Sequence, residues 1–166
     1  PFFADAANPH PLKETDKTIQ NYFALPLTYE TLVLVYTHAT TKNNIDESGN
    51  KIVLRPDTLV VPPALEIPAL KILTAEFLPN ETGTPSIRNP MYKKFRVIVW
   101  HHLTDDDGWF LIERGKGLKA LNRMNLEIDF YVDEDTRQYK GNVLCRFGGY
   151  VDNCRYTIAC NTPQSL

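Results

Sequence analysis

The feature that most constrains the fold is a short apolar run followed by two prolines. Residues 58–61 read Thr-Leu-Val-Val and lead directly into Pro62-Pro63. A continuous apolar run of this length predicts a buried strand. The second proline favours the start of a helix, because its missing N–H is not needed in the first turn. Since Pro68 would kink a helix interior, we expect that helix to begin around Glu66–Ile67.

Upstream of this run, apolar residues at helical spacing predict a helix over residues 28–42, with a strand as the alternative because β-branched residues are frequent there. Thr28 is placed to cap its N-terminus. A polar turn cluster over residues 43–50 ends it. The proline-rich residues 1–26 predict an irregular segment, within which Glu14 to Phe23 fits a short helix.

Downstream, the proline- and glycine-rich residues 78–92 predict a loop of about 15 residues. The sequence predicts a strand over Phe95 to Leu103. It predicts a second strand over Trp109 to Ile112, which returns after the acidic turn Asp105–Gly108. The two strands therefore predict a hairpin. Trp100 and Trp109 lie on its opposite arms, which predicts a shared core contact; a subunit interface is the alternative.

The C-terminal third predicts mainly strands. Residues 115–124 fit a short helix, whereas residues 126–132 alternate apolar and polar side chains, the pattern of a half-buried strand. Two further strands are predicted over residues 143–147 and 156–160, joined through Gly148-Gly149. This order of elements predicts an α+β chain with a mixed, largely antiparallel sheet and flanking helices.

Bulk composition excludes several classes of protein. The net charge is −2, from 18 basic and 20 acidic residues, so no broad basic surface for nucleic acid is expected. No run approaches the roughly 20 apolar residues of a membrane span, and no signal peptide is expected at the start. The three cysteines predict reduced thiols, with a Cys145–Cys160 or Cys154–Cys160 bridge as the alternative.

Candidate catalytic and metal-binding patterns are weak. His101 and His102 are adjacent on a predicted strand, so they point to opposite faces and cannot easily share a metal. Gly115-Lys116-Gly117 lacks the spacing and the Ser or Thr of a phosphate-binding loop. No sequence pattern pairs a cysteine with a histidine. We therefore predict no enzyme, no metal and no cofactor, which leaves a structural protein or a binding module.

Several short phrases resemble tailed-phage major capsid proteins. The run Pro56–Glu66 resembles a recurrent phrase of that family, and Asn89–Tyr92, Phe95–Val99 and Gly108–Leu111 resemble the phrases that follow it in the same order. Arg146–Tyr150 resembles the family's final strands. The resemblance covers about residues 28–160 and is nearest to Mu-like head subunits. It implies the HK-ninety-seven-type fold, which encapsulins share.

The resemblance also implies a division of the chain. Residues 1–55 would form an N-terminal segment with a helix of the peripheral domain, residues 56–132 the axial domain, and residues 133–166 the return strands of the peripheral domain. The chain would then be the C-terminal portion of a capsid subunit. The family's N-terminal arm, extended loop and much of its spine helix would precede Pro1.

The function implied by the resemblance is structural. Copies of the chain would form hexamers and pentamers of an icosahedral shell, together with other virion proteins, around double-stranded DNA bound without sequence specificity. Assembly would occur in the bacterial host cytoplasm, with no membrane. Candidate subunit contacts are Asp105, Asp106, Asp107, Asn89 and Tyr92. The alternatives are an encapsulin-type compartment shell and a soluble α+β enzyme or binding domain.

Overall fold

The structure, a computed structural model, describes residues 10–11, 18–79 and 85–161. Within that part the chain divides into two units. Residues 118–152 form a long hairpin, and the residues on either side of it form a mixed sheet with two helices. The predicted α+β class is therefore confirmed. The predicted domain boundaries remain predictions, and the boundary at 132–133 falls in the turn of the hairpin.

Two helices and eleven strands make up the described residues. The helices are α1 (Tyr29–Thr41) and α2 (Glu66–Thr74), and a 3₁₀ turn precedes α2 (Pro63–Leu65) and another precedes the last strand (Cys154–Tyr156). The strands are β1 (His10–Pro11), β2 (Thr18–Ile19), β3 (Tyr22–Phe23), β4 (Thr58–Val61), β5 (Phe77–Pro79), β6 (Pro85–Arg88), β7 (Arg96–Val99), β8 (Trp109–Ile112), β9 (Leu118–Val132), β10 (Tyr139–Val151) and β11 (Thr157–Cys160).

The larger unit is built around a five-stranded sheet with the order β3–β11–β8–β4–β7. Strand β8 is antiparallel to both of its neighbours, whereas β4 and β7 are parallel, as are β11 and β3. The register places Val97, Leu59, Leu111 and Ile158 in one row across four strands. Two antiparallel pairs, β1–β2 and β5–β6, lie outside this sheet.

The hydrophobic core lies on the sheet face that carries this row. Both helices contribute to it, α1 with Leu32, Val35 and Ala39, and α2 with Ala69 and Leu73. Burial of all four residues of β4 explains why the proline-bounded run at residues 58–61 is apolar at Leu59, Val60 and Val61, as expected of a central strand. The sheet residues of the core are Phe23, Leu59, Val61, Trp109, Leu111, Ile158 and Cys160.

Local signals located both helices correctly. The hydroxyl oxygen of Thr28 accepts a hydrogen bond from the N–H of Thr31 at 3.2 Å, so Thr28 caps α1 as predicted. Helix α2 begins at Glu66, also as predicted. This start places Pro68 in the first turn, where a missing N–H leaves no intrahelical bond unmade.

The predicted hairpin of residues 95–103 and 109–112 is wrong. Strand β7 and strand β8 are not neighbours, because β4 lies between them. The predicted contact between the tryptophans is wrong for the same reason: Trp109 is fully buried in the core, whereas Trp100 follows the edge strand β7 and is 52% exposed. The sequence suggested that β7 pairs with β8 across a short connection. In the sheet, β7 instead pairs in parallel with β4, and the crossover connection between these two strands contains α2.

Other boundary predictions also need correction. Residues 115–124 are not helical, because β9 begins at Leu118. The strand over 126–132 is present but lies exposed along its whole length and is not half-buried. The predicted loop at 78–92 contains the arms of the β5–β6 pair, and residues 80–84 lie outside the described residues. Of the short helix at 14–23, residues 18–19 and 22–23 are strands, and residues 14–17 lie outside the described residues.

The cysteines are free thiols, as the sequence predicts for reduced residues. Cys160 is buried in the core, Cys154 is half-buried, and Cys145 is exposed on the hairpin. Burial raises the pKa of the Cys160 thiol and of the Cys154 thiol above the ordinary value. Since the thiolate is the reactive form, we expect these two cysteines to react slowly with alkylating reagents.

We expect His38 on α1 to make the stability of this unit depend on pH. Its ring meets that of Phe23 edge-on with 5.0 Å between centroids, and its buried Nδ1 atom has no hydrogen-bond partner among the described residues. Burial, and secondarily the charge of Lys42, lower the pKa of His38. Near pH 6.5, the His38 side chain therefore binds a proton in the unfolded chain more readily than in the folded chain.

We expect the melting temperature to fall as the pH is lowered from 7 through about 6.5 towards 5. His38→Phe should flatten this slope, because it keeps the contact with Phe23 and removes the titrating group. His102→Gln, which changes an exposed histidine, should leave the slope intact. Equal slopes in all three proteins would show that His38 does not cause the dependence.

Gly117 is required where the chain enters the hairpin. Its φ is +79°, and a Cβ atom there would lie 3.0 Å from the Asn153 carbonyl oxygen and 3.1 Å from the Tyr156 Cβ. Gly115 has a similar φ of +77° but open space around it. A left-handed conformation costs a non-glycine residue roughly 1–2 kcal/mol, and overpacking adds about 1–3 kcal/mol.

Gly117→Ala should therefore lower the free energy of unfolding by about 3 kcal/mol, and Gly115→Ala by about 1 kcal/mol. Urea denaturation monitored by circular dichroism would measure both. The matched pair separates backbone strain from steric overlap, since only Gly117 experiences both. Equal losses at the two positions would contradict the predicted overlap with Asn153.

Candidate subunit-contact surface

The hairpin of β9 and β10 is exposed along almost its whole length. The strands pair antiparallel from Leu118↔Val151 to Val132↔Tyr139, with two irregularities in the register near Met124. Strands of 15 and 13 residues are far longer than the usual 5–6 residues. An isolated two-stranded hairpin is marginally stable in water, so the length and exposure of this one indicate a surface that meets a partner.

One face of the hairpin is almost entirely apolar. The side chains of directly paired residues lie on the same face of an antiparallel ladder. Three aromatic side chains project furthest from it: Phe130 is 81% exposed, Tyr139 is 88% exposed and Phe147 is 83% exposed. We call this the apolar face; its large side chains are Leu118, Ile128, Phe130, Val132, Tyr139, Val143, Phe147 and Val151.

Small residues shape the apolar face. Gly141 is paired with Phe130, and the Phe130 ring lies so close that a Cβ atom on Gly141 would be 3.2 Å from it. Near the base of the hairpin, Ala120 is paired with Gly149. Together with Leu118 and Val151 they line a shallow, mostly apolar depression of about 370 Å³. The face therefore carries both projecting rings and a recess.

The opposite face carries charged side chains of both strands. Lys119, Glu127 and Asp129 lie on β9, whereas Lys140 and Arg146 lie on β10, and all five are exposed. We call this the polar face. The contrast between the two faces explains the alternating pattern that the sequence shows over residues 126–132. The alternation alone did not reveal that the apolar side chains of this strand are exposed.

The tip of the hairpin is held by Asp133. Its carboxylate accepts hydrogen bonds from the Asp135 N–H at 3.2 Å and the Thr136 hydroxyl at 2.9 Å, and it forms an ion pair with Lys140. These contacts, with Lys140 the strongest, lower the pKa of Asp133. Arg137 adopts a φ of +53° in the same turn. The tip is thus ordered by its own side chains.

The predicted acidic contact residues lie in the connection between β7 and β8. Asp105 is half-buried and accepts a hydrogen bond from the Asp107 N–H at 3.2 Å, whereas Asp106 and Asp107 are exposed. No ion pair neutralises any of the three within the described residues. They remain available to basic groups on another molecule.

Asn89 and Tyr92, the other predicted contact residues, differ from each other. Asn89 is 2% exposed, and its amide nitrogen donates to the carbonyl oxygens of Ile72 and Ala75, both at 2.8 Å. It therefore satisfies the free carbonyls at the end of α2. Tyr92 is half-buried, and the Lys93 ammonium lies 5.0 Å from its ring centroid. Only Tyr92 of this pair offers surface to a partner.

A protein-family model described as "phage capsid protein" matches residues 3–151. This is most of the chain. The chain belongs to this phage capsid protein family. No curated protein matches the sequence.

Family membership gives the exposed hairpin a context. A capsid protein is a structural component of the virion, and its work is association with other subunits, so the relevant surfaces are those that meet another protein. The match includes all of β9 and β10 up to Val151. The apolar face is thus part of the capsid protein as the family defines it.

Across residues 10–11, 18–79 and 85–161, no three His, Cys, Asp or Glu side chains are grouped so that they could hold a metal ion. His101 and His102 are both exposed in the turn after β7. Neither described helix has the length and apolar character to cross a bilayer.

Proposed function

We propose that this chain forms part of an icosahedral phage shell of the HK-ninety-seven type, nearest to Mu-like head subunits, which encloses packaged double-stranded DNA. Copies associate as hexamers and pentamers, together with other virion proteins, and this assembly takes place in the host cytoplasm. The observation that carries the proposal is the apolar face on a chain of the capsid family. A near-neutral charge also suits close packing of copies, because self-repulsion is small.

The area of the apolar face fits a subunit interface. At 150–250 Å² for a buried aromatic residue and the exposures of Phe130, Tyr139 and Phe147, these three side chains alone offer roughly 500 Å². A stable interface buries about 800 Å² on each partner, which the aliphatic neighbours on the same face can supply. We infer that a second copy of the subunit covers the apolar face in the shell.

Electron microscopy of the full-length protein tests the proposed function. We expect closed particles of uniform size, and nuclease-resistant double-stranded DNA inside particles purified from a phage lysate. Particles that hold a protein cargo and no DNA would favour a compartment shell instead. A protein that stays monomeric at high concentration would contradict both.

The acidic connection between β7 and β8 supplies a narrower proposal, in which Asp105, Asp106 and Asp107 meet basic groups of a neighbouring subunit and Tyr92 adds a further contact. Changing the three aspartates to asparagine should lower the yield of particles about tenfold at low salt, with a smaller loss at high salt, because exposed charge pairs are screened. Light scattering at two ionic strengths measures this. Unchanged yield and geometry at both would reject the contact.

A further inference from the structure

Strand β7 lies at one edge of the five-stranded sheet. Within the part of the chain that the structure describes, it pairs only with β4, in parallel. The main-chain N–H groups of Arg96 and Trp100 donate to β4, at 2.8 Å and 2.9 Å. Because the main-chain groups of successive residues point to opposite sides of a strand, those of Val97 and Val99 point outward. An open edge of this kind is a template for another strand.

The charge of this edge changes sign along β7. Lys93, Lys94 and Arg96 lie at its start, and Asp105–Asp107 follow its end, with two histidines as the only titratable side chains between them. Asp105 is half-buried and the other five side chains are exposed. None of the six forms an ion pair within the described residues. The charges at both ends therefore remain available to another molecule.

The elements beside β7 do not cancel this polarity. Helix α2 runs from the end of β4 to the start of β7, so Glu66 in its first turn adds an acidic group at the acidic end. At the basic end, Lys71 and Arg88 add positive charge, whereas Asp57 and Glu76 reduce it. Basic groups still outnumber acidic ones there. The edge is thus basic where β7 begins and acidic beyond its end.

We propose that the β7 edges of two copies pair antiparallel about a two-fold axis at Ile98. The basic start of each strand then lies beside the acidic connection Asp105–Asp107 of the other copy, whereas parallel pairing would bring like charges together, which is destabilising. This rests on the proposed shell function and supplies the basic groups for the acidic contact proposed above. In this register, Val97 and Val99 exchange main-chain hydrogen bonds with Val99 and Val97 of the second copy.

The exposed side chains of the edge fit the same register. Arg96, Ile98 and Trp100 alternate onto one face of the strand, and Ile98 is 39% and Trp100 52% exposed. Antiparallel pairing at Ile98 places the two Ile98 side chains side by side and sets Arg96 opposite Trp100 of the second copy. Directly opposed side chains stabilise a sheet, and a guanidinium over an indole ring adds a cation–π attraction.

A two-fold contact has a definite place in an icosahedral shell. Rings of five or six copies require head-to-tail contacts, in which two different surfaces meet. A two-fold axis instead relates identical surfaces, as the two β7 edges are here. The contact therefore joins copies that belong to adjacent rings.

Two charge-reversed variants of the full-length protein test the pairing. The first is Lys93→Glu with Lys94→Glu, and the second changes Asp105, Asp106 and Asp107 to lysine. Each variant alone should associate at least about tenfold more weakly than the wild type at low salt, because every contact between its copies joins like charges. Light scattering and native mass spectrometry measure the loss.

Mixing the two variants separates a contact between copies from a defect inside one copy. In a mixed pair, the new glutamates of one variant face the new lysines of the other, and the unchanged ends also carry opposite charges. An equimolar mixture should therefore recover association, with mixed pairs in preference to uniform ones. Because mixing cannot repair a misfolded chain, recovery would come from the contact itself. No recovery would overturn the proposal.

A cysteine at the proposed axis tests the register. With Cys145→Ser, which removes the exposed native thiol, Ile98→Cys would set two thiols directly opposite each other, with Cα atoms about 4.5 Å apart. This separation allows a disulfide. Mild oxidation of assembled particles should link most copies into covalent dimers. Ile67→Cys in the same background, at a more exposed position on α2, should give few.

The outcomes distinguish this contact from the shell function. Equal linking at both positions, or none at position 98 in assembled particles, would overturn the β7 pairing. If the wild type forms particles while linking and mixing both fail, only the β7 contact is rejected. If the wild type forms neither particles nor dimers, the shell function and this contact are rejected together.

Discussion

We expect Ile128→Asp to abolish subunit association and to leave the fold of the larger unit unchanged, because Ile128 lies on the apolar face through which the subunits associate. Ile128 is 52% exposed on that face. Burial of an isoleucine side chain contributes about 1.5–3 kcal/mol, and a buried, unpaired carboxylate costs more. A loss of about 3 kcal/mol or more in each contact weakens association at least about 100-fold.

Leu144→Asp is the matched control for this substitution. Leu144 is 43% exposed and pairs with Glu127 on the polar face, one rung away from the pair Ile128↔Val143. Both variants place the same charge in the same hairpin at similar exposure, so they differ mainly in the face that carries it. Analytical ultracentrifugation of the two proteins measures the difference.

Several outcomes would contradict the role of the apolar face. Association as strong as that of the wild type in both variants would show that neither face is the contact. Loss of association in both, with a lower melting temperature, would show that the hairpin itself had unfolded. We expect the melting temperature of the larger unit to stay within about 2 °C of wild type in both, because exposed substitutions have small effects on stability.

The sequence predicted those elements whose signals are local. Thr28 marks the start of α1 by its own hydroxyl, and the proline pair after Val61 marks the end of β4 and the approach of α2. Each of these signals acts within a few residues, so no knowledge of the rest of the chain was needed. The α+β class followed from the order of such elements.

The neighbours of each strand could not be predicted in the same way. Strands 95–103 and 109–112 are adjacent in sequence, and short separations usually give hairpins. Here β4 instead provides the partner for both, through a parallel pairing with β7 and an antiparallel pairing with β8. No residue in the connection between β7 and β8 indicates this pairing, because the pairing depends on which strand lies at the centre of the sheet.

The hairpin escaped prediction for another reason. Leu118, Leu121 and Met124 are three residues apart, a spacing that fits a helix, but they lie in β9. Beyond them, the alternation over 126–132 predicted a strand with one face in the core of the same domain. The strand is there, but its apolar side chains are exposed and none of them belongs to the described core. Sequence periodicity reports that a face is apolar but not what covers it.

Trp109 supplies the largest stability effect that we expect from a single substitution. Its side chain is fully buried in the centre of the core, next to Cys160 in the sheet register, and its indole N–H donates to the Leu25 carbonyl oxygen at 3.1 Å. Trp109→Ala would leave a large cavity and a buried carbonyl without its donor. Such truncations cost about 3–5 kcal/mol.

Trp100→Ala is the control, because Trp100 is half-exposed beyond the edge strand β7 and lies outside the core cluster. We expect Trp109→Ala to lower the melting temperature by roughly 10–20 °C and Trp100→Ala by no more than about 3 °C. Trp109→Phe should fall between them, since it retains most of the packing and loses only the hydrogen bond and part of the ring. Similar losses from the two alanine variants would mean that Trp100 is as buried as Trp109. That result would restore the shared tryptophan contact predicted from the sequence and would require β7 and β8 to be neighbours, against the strand order on which the core assignment depends.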